Sequence, residues 1–429
     1  MILFITVSCS SATPPIGETP ASVLPSASTV PSVSTSASPA PPSQRVPVAP
    51  GTTAFVGDGL VTTALGPLSG EIAFVIRPTR FGPDGQATHR ELWAVPLDGR
   101  QPVRAALYRA EFDARMADTN ILARQFSPDG RRIVLSVVRE QIVGVGPIDP
   151  VYQLVVLELE TGTLVPLLPL ASTRAHGRSP AWSPDGRRIA FSRRAYPTQG
   201  IDGELWVAAA DGTGAKRLWA AAQGAGTTVW GWTADSRRIG FDPVGFEWAG
   251  YALIDLDGNI TRVTDRPVTS RATVSWRDHA PVFVGSFGDT PFPQSTDLLL
   301  ADSPGGPTRV VASQTRKPDN SVVGVTDPRW DPSGRDVLIY QQTGVDRSTI
   351  VLDIAAGTSK SIGSRVKLAE WGARGESIVT AEEHPSTAPD TLYVWSRDGR
   401  LIRGGIGLPP DPATRTATYR LTDLAVRAY

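Results

Sequence analysis

Ala181-Trp182-Ser183-Pro184-Asp185-Gly186-Arg187-Arg188-Ile189-Ala190-Phe191-Ser192 is the stretch that decides the fold. Proline pre-sets φ for the second position of a turn. Aspartate folds its carboxylate back onto the backbone, and glycine accepts positive φ. The residues on either side alternate apolar and polar, as half-buried strands do. The stretch therefore reads strand, tight turn, strand.

The same pattern recurs. Gln125-Phe126-Ser127-Pro128-Asp129-Gly130-Arg131-Arg132-Ile133-Val134-Leu135-Ser136 matches it almost position for position. Weaker copies begin at Trp232 and Trp330, and degenerate ones at Trp276 and Trp371. A second hairpin follows each copy, as in Glu204-Leu205-Trp206-Val207-Ala208-Ala209-Ala210-Asp211-Gly212. Its turns recur at Asp98-Gly99, Thr161-Gly162, Asp211-Gly212, Asp257-Gly258, Gly305-Gly306, Ala356-Gly357 and Asp398-Gly399. Asp-Gly between two apolar runs is a strong hairpin signal.

Two hairpins make a four-stranded sheet that cannot bury both faces alone, so the units must stack on one another. The expected fold class is all-β, a β-propeller over residues 52–429. Seven four-stranded blades would take about 54 residues each, whereas six would need about 63, which is long for this architecture. The first unit lacks a clear turn motif, and Thr62–Leu68 is the candidate for its inner strand. The segment Thr418–Val426 alternates well and is expected to pair with the first blade or complete the last.

The repeated aromatics Phe126, Trp182, Trp232, Trp276, Trp330 and Trp371 are expected to pack blade against blade rather than stack a ligand. Asp129, Asp185 and Asp235 are expected to be occupied by their own turns rather than by calcium.

The Trp-Ser-Pro-Asp-Gly-Arg pattern, followed by Leu-Trp-Val and Asp-Gly, resembles the WD-like propeller repeat of the TolB family. It also resembles that of prolyl-oligopeptidase-type peptidases. The resemblance covers roughly residues 60–405 and implies the fold. TolB proteins carry an α/β domain ahead of a propeller that is usually six-bladed. Here a linker holds that place, and no binding residue of that family has a matching motif.

Residues 10–51 are dominated by Ser, Thr, Pro, Ala and Val without periodicity, which predicts a disordered linker. Ahead of it, residues 1–9 form a signal-like segment. The apolar run Ile2–Val7 is followed by Ser8-Cys9-Ser10-Ser11, which resembles the end of a bacterial lipoprotein signal. That resemblance implies a lipid on Cys9, a membrane tether and a place in the cell envelope outside the cytoplasmic membrane.

Cys9 is the one cysteine, and the four histidines are far apart, so neither a disulfide nor a metal site is expected. No cofactor is read from the sequence. Formal net charge is zero, with 42 basic and 42 acidic residues, which gives no global field for nucleic acid. A monomer is expected.

Within a blade of strands A to D, the A–B and C–D turns are tight and share one face. The B–C and D–A connections are long and share the other. Arg77–Arg90, Arg139–Pro150, Ser172–Ser179 and Ser313–Asp327 are examples. Binding residues concentrate on such loops. The expected ligand-binding candidates are Arg174, His176, Arg178, Arg316, Lys317 and His384, and the expected ligand is a protein, small molecule or glycan.

No Gly-x-Ser-x-Gly elbow, phosphate loop or Gly-x-Gly-x-x-Gly fingerprint is present. The sequence therefore predicts a binding scaffold and no enzyme. The alternative is a propeller-only polysaccharide lyase or glycoside hydrolase with its site in the central channel.

Overall fold

The chain divides into the units Met1–Val48 and Ala49–Tyr429. The computed structural model describes residues 60–429 except 82–86, 110–120, 143–148, 168–175, 195–202, 221–226, 244–251, 263–273, 278–279, 287–294, 302–307, 316–322, 344–345, 365, 383–390 and 410–420. All of these lie in the second unit. The Gly305-Gly306 turn, Cys9 and the linker lie outside them.

The elements run β1 (Val61–Thr62), β2 (Glu71–Phe81), β3 (Ala87–Pro96), β4 (Val103–Arg109), α1 (Ile121–Gln125), β5 (Arg132–Ile142), β6 (Asp149–Glu158) and β7 (Leu164–Pro166). Next come β8 (His176–Trp182), β9 (Arg188–Arg194), β10 (Glu204–Ala209), β11 (Lys216–Ala220), β12 (Thr227–Trp232), β13 (Arg238–Pro243), β14 (Ala252–Asp255) and β15 (Ile260–Arg262). Then follow β16 (Val274–Arg277), β17 (Ala280–Ser286), β18 (Ser295–Ala301), β19 (Thr308–Thr315), β20 (Val323–Trp330), β21 (Asp336–Thr343), β22 (Asp346–Asp353) and β23 (Thr358–Ser364). The last are β24 (Val366–Trp371), β25 (Ser377–Glu382), β26 (Thr391–Ser396), β27 (Leu401–Gly407) and β28 (Asp423–Ala428).

The described strands fall into seven antiparallel sheets. Five are four-stranded meanders, β8–β11, β12–β15, β16–β19, β20–β23 and β24–β27. The first sheet has the order β1-β4-β3-β2-β28, so the C-terminal strand joins the N-terminal sheet. This is the closure expected for Thr418–Val426. It also corrects the reading of Thr62–Leu68. Val61 and Thr62 pair with β4 at the opposite edge, and the place beside β2 belongs to β28. One strand position cannot be filled twice, and the alternating Leu424, Ala425 and Val426 bury both faces there.

The second sheet departs from the repeat as well. It contains only β5, β6 and β7, and its leading position is taken by α1 and a single bridge from Phe126 to Ile133. The strand expected around Gln125-Phe126 is therefore a short helix.

The turns form as their residues dictate. Ser183 Oγ donates to Asp185 Oδ1 at 2.6 Å, and the same Asp185 oxygen accepts from Arg187 N at 3.0 Å. Thr233 and Asp235 repeat the contact at 2.6 Å. The sixth sheet reverses the roles: Asp331 stands at the first position, and its carboxylate accepts from Ser333, Arg335 N and Asp336 N. Burial works against the Asp331 charge, but these donors hold its pKa below the usual carboxylate range.

Sheets stack through their aromatics. Phe126, Trp182, Trp232 and Trp371 are buried. Trp232 Nε1 donates to Ala181 O at 3.0 Å and Trp371 Nε1 to Arg329 O at 2.9 Å, each in the preceding sheet. Phe126 meets Phe74 of the first sheet at 4.8 Å between ring centroids.

A second device recurs in the first and third sheets. Glu91 accepts from Arg77 Nη2 (2.6 Å), Trp93 Nε1 (2.9 Å) and Arg104 Nη1 (2.9 Å), and Arg77 lies 4.9 Å over the Trp93 ring. Glu204 likewise accepts from Trp206 Nε1 at 2.8 Å and Arg217 Nη1 at 2.9 Å, with Arg193 4.5 Å over Trp206. Burial alone would raise the pKa of Glu91, but the Trp93 donation and the two guanidiniums hold it below the usual range.

Candidate functional site

The two ends of the sheets differ in kind. At the A–B and C–D end the chain turns within a few residues. At the other end the first two B–C hairpins run on as paired strands, as far as Phe81 opposite Ala87 and Ile142 opposite Asp149. Much of what reads as loop in Arg77–Arg90 and Arg139–Pro150 is therefore sheet, the ladder continuing through residues as polar as His89, Glu140 and Gln141.

Asp423 opens β28 opposite Ile76 and so belongs to this second end. Its Oδ2 accepts from Leu122 N at 2.9 Å, which fixes the start of α1. Asp423 is 8% exposed. Burial pushes its pKa up to about 6, against the opposing effects of Arg329, the Leu122 and Leu424 N–H groups and Arg124.

Around it converge charges from leading segments far apart in sequence. Arg124 of α1 donates to Val229 O at 3.0 Å and lies 5.4 Å over the Trp230 ring, both in the fourth sheet. Arg329 of the sixth sheet pairs with Glu370 of the seventh at 2.8 Å, with side chains 3% and 13% exposed. Arg427 of β28 donates to Ala123 O and lies 4.8 Å over Phe126. On the outer side of the same interface, Arg90 hydrogen-bonds the Tyr108 hydroxyl, and the Asp423 charge acts on that phenol. A carboxyl titrating near neutrality among guanidiniums can hold an anionic or hydroxylated group and exchange a proton with it.

The residues singled out from sequence are not these. Arg174, Arg316, Lys317 and His384 lie outside the described residues. His176 and Arg178 do not sit in a loop. They belong to β8, paired with Arg194 and Ser192, because the ladder begins three residues before the expected loop end at Ser179. The residues missed had a signal. The position before each repeat aromatic is Gln125, Ala181, Gly231 and Ser275 in four units but Arg329 and Glu370 in two. A charge in a column of small and neutral residues, next to a buried aromatic, marks a strand that faces other charges.

No protein-family model and no curated protein matches the sequence. Solved structures do match. Acylaminoacyl peptidase, in complex with Z-Gly-Gly-Phe-chloromethyl ketone, is 13% identical, with a TM-score of 0.51 over 81% of this chain and 52% of its own. The periplasmic gluconolactonase of Pseudomonas aeruginosa is 13% identical, with a TM-score of 0.49 over 83% of this chain and 99% of its own. TolB from Acinetobacter baumannii is 14% identical, with a TM-score of 0.43 over 76% of this chain and 78% of its own. At these identities the likeness is one of fold, and the fold is a β-propeller. The expectation that the chain is no enzyme is corrected by the same finding. Similar structures include enzymes such as acylaminoacyl peptidase, so neither this fold nor the missing motifs exclude catalysis.

Proposed function

We propose that this chain is an extracytoplasmic, seven-bladed β-propeller that recognises a protein or small ligand, including a glycan, at its B–C/D–A face. A lipid on Cys9 tethers it to the membrane. Among the described residues no helix is long and apolar enough to cross a membrane. The observation that carries the reading is the asymmetry between the two ends. One end is closed by tight turns bonded within themselves, while the other carries the buried carboxyl of Asp423 at the start of β28 and the extended hairpins of the first two sheets.

Binding of envelope glycans and of detergent-extracted membrane proteins to the purified chain tests it. Arg124→Ala is expected to weaken the interaction at least about tenfold, whereas Arg187→Ala and Arg237→Ala on the tight-turn face leave it unchanged. Binding that follows the turn-face variants would overturn the reading.

A second reading, catalysis on a glycan at the same centre, is favoured by Asp423, whose carboxyl titrates at about 6. In it Asp423 moves the proton. Turnover of an acidic or neutral oligosaccharide that disappears in Asp423→Asn supports this reading, and turnover that survives the substitution removes it.

A further inference from the structure

The extended B–C hairpin of the first sheet and the neighbouring β4 bring two arginines to one histidine. The register sets Thr79 of β2 opposite His89 of β3, and His89 opposite Arg109 of β4. Burial, joined by the charges of Arg80 and Arg109, lowers the pKa of His89. Arg80 is exposed, and His89 and Arg109 are half-buried. Among the described residues no carboxylate pairs with Arg80 or Arg109. Glu91, two residues further along the same face of β3, is the nearest acid on that strand. It is already bound by Arg77, Trp93 and Arg104. Two guanidiniums thus stand beside an imidazole whose protonation they oppose, without a counter-ion from the described residues, a repulsive arrangement that an incoming anion relieves.

The local bonding also assigns the imidazole. The Thr88 hydroxyl donates its one proton to the Arg80 carbonyl. The contact between Thr88 Oγ1 and His89 Nδ1, at 2.9 Å, must then be donated by Nδ1–H. That leaves Nε2 without a hydrogen-bond partner among the described residues. Arg80 itself holds a φ of 51°, a left-handed conformation unusual for a side chain of its size, one residue before the last pair of the ladder.

We propose that Arg80, His89 and Arg109 form an anion-binding site that takes a carboxylate or phosphate group of the ligand recognised at this face. The proposal rests on the B–C/D–A face being the ligand face. The two guanidiniums supply the charge, and protonated Nε2 supplies a directed donor, so an anion bound there draws a proton onto His89.

With only four histidines in the chain, the imidazole signals separate in a carbon–proton NMR spectrum. Sodium phosphate and sodium acetate are titrated in separate arms, each against sodium chloride at equal ionic strength. The expected result is a saturable shift of the His89 signal in at least one arm, with its titration moved to higher pH. In Arg80→Gln/Arg109→Gln the affinity falls at least about tenfold. Saturation by acetate identifies a carboxylate ligand and saturation by phosphate alone a phosphorylated one. A His89 response no larger than chloride produces, or one undiminished in the double variant, overturns the site. The face reading fails separately, when Arg124→Ala leaves ligand binding unchanged.

Discussion

Trp232 Nε1 donates to Ala181 O at 3.0 Å, and this bond ties the leading strand of the fourth sheet to that of the third. Trp182 stands at the same place one sheet earlier, buried at 5% exposure, yet its Nε1 has no acceptor among the described residues. The reason lies in the second sheet. The acceptor should come from Gln125, but Gln125 ends α1, and a helical turn aims its carbonyl along the helix axis.

This difference makes a pair of substitutions informative. Trp232→Phe removes a buried hydrogen bond, and Trp182→Phe removes a donor that has no partner. Chemical denaturation should find Trp232→Phe costlier by about 1–2 kcal/mol. Equal losses at both sites would mean that the indole bond does not tie the sheets.

Glu91 and Glu204 occupy equivalent places but differ in burial. The Arg77–Glu91 pair has side chains 6% and 7% exposed, whereas Arg217 of the Arg217–Glu204 pair is 56% exposed. Glu91→Gln leaves Arg77 as an uncompensated buried charge and is expected to cost about 3–5 kcal/mol. Glu204→Gln should cost about 1 kcal/mol or less, because water reaches Arg217. Urea unfolding of the two variants measures the contrast.

The pH dependence of stability should carry the mark of Asp423. Its pKa in the fold, about 6, stands above the ordinary value of 3.8. Between these values the folded chain holds a proton that the unfolded chain has lost. The Asp423 contribution therefore falls as pH rises from about 4 to about 6 and is level above that, by about 3 kcal/mol at most. Asp423→Asn removes the titration, so stability relative to wild type should rise over that window. A difference that stays constant from pH 4 to 7 would exclude the shift.

Two glycines in left-handed conformations should respond differently to a methyl group. Gly212 has a φ of +84°, and a Cβ there would lie 1.8 Å from the Leu167 carbonyl oxygen of the second sheet. Gly66 has a φ of +68° and open space around it. Gly66→Ala is expected to cost about 1–2 kcal/mol from backbone strain alone. Gly212→Ala must also push two sheets apart and should cost about 4 kcal/mol or more. Thermal unfolding ranks them, and the opposite order would show that the interface yields easily.

The sequence by itself determined the hairpins. Ser183 to Arg188 makes its turn from its own atoms, and the side-chain period around it puts Trp182, Ile189 and Phe191 on one face and Ala181 and Ala190 on the other. Turn chemistry and side-chain period act over a dozen residues, so they are legible there. Only the tertiary structure decided which segments meet. Leu122 and Asp423 are 301 residues apart, and nothing local to either announces the other. The same holds for β28 taking the place expected for Thr62–Leu68, for a helix standing where the second sheet should lead with a strand, and for the charges gathered around Asp423. Those outcomes depend on how the two ends of a repeating chain close upon each other, a constraint on the whole assembly that no single repeat contains.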